Sequence, residues 1–149
     1  MQLPGSPFFA YDNGVLCVDG LPLPELAQQY GTPLFVYSQN AILAALAAYQ
    51  RGLQGRDALI CYAMKANSSL AVMQLFARAD CGFDTVSAGE IQRALLVGAK
   101  PETIIFSGVG KTRAEMRFAL ETGIGCFNVE SLPELDTLNA VALEMGRRA

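Results

Sequence analysis

Hydrophobic and polar positions follow a regular beat from residue 34 onward: short apolar, β-rich runs alternate with longer stretches whose apolar residues recur at helical spacing. The short runs are LFVYS (34–38), ALICYAM (58–64), GFDTVS (82–87), TIIFSG (103–108) and GCFNVE (125–130), so their starts recur every 21–24 residues. Helices are predicted between and after them, over 39–53, 69–79, 88–99, 111–123 and 131–146. Pairs such as Ile91 with Leu95 and Ala114 with Phe118 share a helix face. Ser38, Ser87 and Ser131 stand where N-caps belong, and Gly52, Gly98, Gly123 and Gly146 where helices end.

Alternating strands and helices imply parallel strands joined by right-handed crossovers, hence an α/β fold. A doubly wound sheet would carry a glycine-rich turn after its first strand, and YSQNA (37–41) has none. A (β/α)8 barrel fits better, because polar residues gather just after the strands: Lys65 and Asn67, Asp84 and Ser87, Ser107, then Asn128, Glu130 and Ser131. Within 59–65, Cys61, Ala63 and Lys65 fall on one face, and Ile60, Tyr62 and Met64 on the other. That places Lys65 inward, at the barrel mouth.

Only five strand–helix units are legible, whereas a barrel needs eight in roughly 250 residues. The chain therefore reads as the N-terminal part of a longer protein. Residues 1–33 differ in character, with an Asn13-Gly14 hairpin turn and a short helix over PELAQQYG (24–31). The domain reading is thus a hairpin and short helix over 1–33, the hairpin expected to pair with strands from a later part of the protein, then an incomplete barrel over 34–149.

Composition narrows the chemistry. The 149 residues are 52% hydrophobic and 17% charged, with a net charge of −3, which argues against a nucleic-acid partner. The longest apolar stretches fall far short of the about 20 residues that cross a bilayer. No secretion signal is evident at the N-terminus, so a cytoplasmic protein is expected. Cys17, Cys61, Cys81 and Cys126 are widely separated, so neither a disulfide framework nor a zinc site is expected. Histidine is absent, which removes Ser-His-Asp, Cys-His and HExxH chemistry from this chain and leaves lysine, carboxylates and backbone donors. SGVGKT (107–112) ends like a phosphate-binding loop, but that motif requires glycine where Ile105 stands.

YAMKANSSLAVMQLFARADCGFDTVSAGEIQRAL (62–95), IIFSGVGKT (104–112) and GCFNVES (125–131) closely resemble the diaminopimelate decarboxylases, pyridoxal phosphate (PLP) enzymes with an alanine racemase-type barrel. The likeness runs from about GTPLFVY to the end of the chain. It implies a cytosolic homodimer in the full-length protein, removing CO2 from meso-diaminopimelate to give L-lysine. It also implies that Lys65 is the Schiff-base lysine and that Asp84 lies near the cofactor. Asn67 is expected to hold the lysine loop. Ser87 is a further cofactor-side position, although a capping box with Glu90 explains both residues without a ligand. The residues that anchor the phosphate, pair with the ring nitrogen and select the substrate are expected beyond residue 149, so the chain alone should have little activity.

Two other readings stay open. One is a different PLP barrel enzyme, an ornithine- or arginine-type decarboxylase or an amino-acid racemase. The other is a non-catalytic PLP-binding protein, which the hairpin over 8–20 opposes because a barrel alone has no β-domain for it to join.

Overall fold

A computed structural model describes residues 5–149, which fold as two compact units, one ending at Arg56 and the other running from Asp57 to Ala149. In the first unit, strands β1 (Phe9–Asp12) and β2 (Val15–Val18) pair antiparallel, with Asp12 opposite Val15 across the Asn13-Gly14 turn. Both turn residues take positive φ, 46° and 83°, as the tight hairpin turn demands. A second such turn, Asp19-Gly20, leads into β3 (Leu21–Pro22) and was not anticipated from the sequence.

Helix α1 (Leu23–Tyr30) follows at once, and α2 spans Gln39–Gly52. Ser38 caps α2 by accepting the Ala41 amide at 2.9 Å, an arrangement typically worth about 1 kcal/mol. The same hydroxyl donates to the Asp19 carboxylate at 2.8 Å, which ties the second turn to the start of α2. The strand expected over 34–38 is not formed. Among the described residues β1, β2 and β3 pair only with one another, and Leu34, Phe35 and Tyr37 are exposed. An apolar run can mark extended backbone, but a strand also needs a neighbour to supply its ladder.

The second unit is a parallel four-stranded sheet in sequential order: β4 (Cys61–Ala63), β5 (Gly82–Thr85), β6 (Ile104–Phe106) and β7 (Cys126–Phe127). Helices α3 (Leu70–Arg78), α4 (Ala88–Leu96), α5 (Arg113–Thr122) and α6 (Leu132–Glu144) follow the strands in turn. This is the expected alternation, with shorter strands than the apolar runs suggest. The expected Gly123 cap is present, left-handed at φ 77°, but Gly52 is the last residue of α2 rather than its cap.

Strand alternation sends large side chains to the helix-covered face. Phe83, Ile104 and Phe106 are fully buried there with Met64, Met73 and Ile91. Burying each such side chain is worth about 1.5–3 kcal/mol. A second cluster, Met116, Leu120, Leu138 and Val141, joins α5 to α6. The opposite sheet face carries Cys61, Ala63, Asp84, Ile105 and Cys126, in register Ala63–Asp84–Ile105–Cys126.

Candidate active site at the C-terminal edge of the parallel sheet

Ladder hydrogen bonds continue one residue past two of the strands. The Ser107 amide donates to the Thr85 carbonyl at 2.7 Å, and the Asn128 amide to the Phe106 carbonyl at 2.9 Å. Ser107 and Asn128 are thereby held on the face that carries Asp84. Asn128 Nδ2 donates to Ser107 Oγ at 3.0 Å, and Ser107 Oγ donates to Asp84 Oδ1 at 2.5 Å. A directed chain of three side chains thus runs across the strand ends. Asp84 Oδ2 has no hydrogen-bond partner among the described residues. The Cys61 thiol titrates above its usual range, through burial first and the Asp84 carboxylate second.

Lys65 lies at the same edge, but not as the last residue of a strand. β4 stops at Ala63, and Met64–Ala66 form a 3-10 turn, so strand alternation does not set the direction of the lysine. Buried Met64 anchors this turn while Lys65 is exposed. Tyr62 stacks on Phe76 with ring centres 4.0 Å apart and donates its hydroxyl to the Asn67 carbonyl at 2.9 Å. The Asn67 side chain accepts the Ser69 amide, also at 2.9 Å, closing a local turn after Lys65.

Of the three lysines, Lys100 pairs with Asp80 on the surface and Lys111 is buried against Glu134. Lys65 alone has no hydrogen-bond or ion-pair partner among the described residues. Lys65 therefore offers an unengaged amine at the sheet edge where the Asp84 carboxylate is hydrogen-bonded, a donor set that suits an aldehyde-bearing cofactor.

Three glutamates shape the loops around this edge. Ser87 caps α4 by accepting the Glu90 amide, and the Glu90 carboxylate accepts the Val86 amide at 2.8 Å, one residue short of the capping box expected there. The complete box is in α5, between Thr112 and Glu115. Glu115 also accepts the Ala88 amide of α4 at 3.1 Å. Its carboxyl is held below the usual range, chiefly by the Thr112 amide. In α6, Ser131 accepts the Glu134 amide, while the Glu134 carboxylate accepts the Glu130 amide at 3.1 Å and the Lys111 ammonium at 2.6 Å. Of the polar residues noted in the sequence, Asp84, Ser107 and Asn128 are brought together, whereas Ser87 and Ser131 serve as caps. In the sequence Lys111 is legible only as part of an incomplete phosphate loop, because its partner Glu134 is distant along the chain.

No helix among the described residues is long and apolar enough to cross a membrane. A family model for the pyridoxal-binding domain of pyridoxal-dependent decarboxylases matches residues 39–147. The chain is 49% identical over 144 residues to diaminopimelate decarboxylase of Zymomonas mobilis, and 50% identical over 143 residues to that of Vibrio cholerae. Each match covers 95% of this chain, which spans 34% of the length of either relative. The crystal structure of diaminopimelate decarboxylase from M. jannaschii in complex with L-lysine superposes with a TM-score of 0.94, at 35% identity, covering 99% of this chain and 35% of that one.

Proposed function

Because the chain belongs to the family of pyridoxal-dependent decarboxylases, we propose that it is the cofactor-binding segment of a diaminopimelate decarboxylase. The reaction is removal of CO2 from meso-diaminopimelate to give L-lysine. The observation that carries this reading is the unengaged Lys65 amine at the strand edge where Asp84, Ser107 and Asn128 are linked. When bound, pyridoxal phosphate supplies the conjugated ring that takes up the electron pair left by departing CO2.

The residues of this chain divide the remaining work. Lys65 Nζ, the amine without a partner among the described residues, would hold the cofactor through its aldehyde and, once free, could carry a proton to the substrate α-carbon. Asp84, fixed through Oδ1, would have Oδ2 left to meet the cofactor. Asn67 keeps the turn in place, and the Ser87 hydroxyl retains a proton to donate while it caps α4. The N-termini of α4, α5 and α6 already face their own glutamates, so they attract the cofactor phosphate weakly. Residues 34–149 belong, on this reading, to a (β/α)8 barrel of a cytoplasmic homodimer.

The test uses the full-length protein with pyridoxal phosphate and meso-diaminopimelate, following CO2 and L-lysine. Wild type should form both in equal amounts, and Lys65→Ala should form neither above background. L-lysine formation by Lys65→Ala, or wild-type turnover of ornithine or arginine in preference, would overturn the reading.

A further inference from the structure

Lys111 is a buried ammonium with its hydrogen-bonding capacity filled. Its side chain is 1% exposed, and that of its partner Glu134 is 10% exposed. It donates to the Glu134 carboxylate at 2.6 Å, to the Gly108 carbonyl at 2.6 Å and to the Asn128 carbonyl at 2.7 Å, matching three donors to three acceptors. The Phe106 ring centre is 5.6 Å away and closes one side. Burying an ammonium is costly unless it is paired and hydrogen-bonded, and here it is both.

The placement of those acceptors gives the lysine a purpose beyond packing. Gly108 directly follows Ser107, and the other carbonyl belongs to Asn128 itself. One ammonium therefore clips together the two backbone segments whose side chains meet in the 3.0 Å hydrogen bond from Asn128 to Ser107. Because that hydroxyl accepts from Asn128, its own proton is directed to Asp84. We propose that Lys111 is a positioning residue of the decarboxylase: it locks the loops after β6 and β7 so that Asn128 and Ser107 hold Asp84 in place for the cofactor. The proposal rests on the cofactor-binding reading given above. Glu134 completes the lock, since its other carboxylate oxygen accepts the Glu130 amide of the same loop.

The experiment is a double-mutant cycle in the full-length protein with Lys111→Met and Ser107→Ala, and with Glu134→Gln as a milder second route should Lys111→Met fail to fold. Each single variant should lower kcat by about tenfold to a hundredfold, the cost of a small misplacement at a reacting centre, with KM changing less. Lys111→Met added to Ser107→Ala should cost little more than Ser107→Ala alone, because both break one chain. Independently of activity, hydrogen exchange in cofactor-free Lys111→Met should speed up at the amides of 107–110 and 128–130 while those of β4 stay protected.

A merely structural lysine predicts another result: a lower Tm, unchanged kcat wherever the protein is folded, and additive effects with Ser107→Ala. That result overturns the proposal. Lys65→Ala is assayed alongside. If it remains active, the cofactor reading itself has failed; if it is inactive while the cycle is additive, only the role of Lys111 has failed.

Discussion

The Arg93 guanidinium closes on the Ser68 carbonyl with two N–H groups, Nε at 3.0 Å and Nη2 at 2.5 Å, reaching from α4 to the loop that carries Lys65. With the Tyr62 hydroxyl on the Asn67 carbonyl and the Asn67 side chain on the Ser69 amide, it fixes the segment on three sides. These bonds tie down the backbone just after Lys65, whose own amine has no partner among the described residues.

Replacing the fork with a point charge should loosen that segment. Arg93→Lys keeps the charge but cannot place two donors on one carbonyl, so it should behave like Arg93→Ala rather than like wild type. Hydrogen exchange of the amides over 65–69 measures this directly. Faster exchange in both variants, with little change in Tm, is the expected outcome, and retention of wild-type protection by Arg93→Lys would contradict it.

Acid should weaken the loop lock. Glu134 is held below its usual value of 4.5, first by the hydrogen bond from Lys111, so its native state favours the ionised form. The corresponding stability is present above the usual carboxylate range and is lost as pH falls through it towards the lowered native value. Glu134→Gln should therefore be less stable than wild type at neutral pH, by about 1.5–3 kcal/mol for a hydrogen bond to a charged group. The gap should close as the pH drops below that range. Glu115, lowered by the Thr112 amide, follows the same sign. Thermal melts at stepped pH provide the check, and a gap independent of pH would refute the coupling.

Two glycines at the other end of the sheet are required by close approach rather than by φ. A Cβ at Gly82 would overlap the Thr103 carbonyl oxygen, and one at Gly125 the Glu102 carbonyl oxygen. Gly82→Ala and Gly125→Ala should each cost about 1–3 kcal/mol through overpacking. Gly52, in α2 with open space around its Cβ position, should instead gain about 0.5–1 kcal/mol as alanine. Denaturant melts of the three variants compare these directly.

Local signals in the chain were read well because their physics is local. Asn13-Gly14 sets a hairpin, Ser38, Ser87 and Ser131 cap the helices that follow them, and the strand–helix beat predicts the parallel sheet. Asp19-Gly20 has the same turn chemistry as Asn13-Gly14, but the strand that follows it is only two residues long and leaves no alternating pattern to mark it. Properties that depend on distant partners were not legible. Leu34–Ser38 has the composition of a strand, but pairing decides the matter. Lys65 continues an alternating pattern on paper, yet the chain turns into a 3-10 segment after Ala63. The GKT stretch suggested a defective phosphate loop, because the carboxylate that explains Lys111 lies 23 residues further along.

The central claim is that Lys65, rather than Lys100 or Lys111, is the amine that holds the cofactor. Borohydride reduction of the full-length protein loaded with pyridoxal phosphate, followed by digestion and mass mapping, reads that amine directly. The adduct should appear at one equivalent on the peptide containing Lys65 and vanish in Lys65→Ala. An adduct on Lys100, on Lys111 or on a lysine elsewhere in the full-length protein, with Lys65 unmodified, would contradict the account.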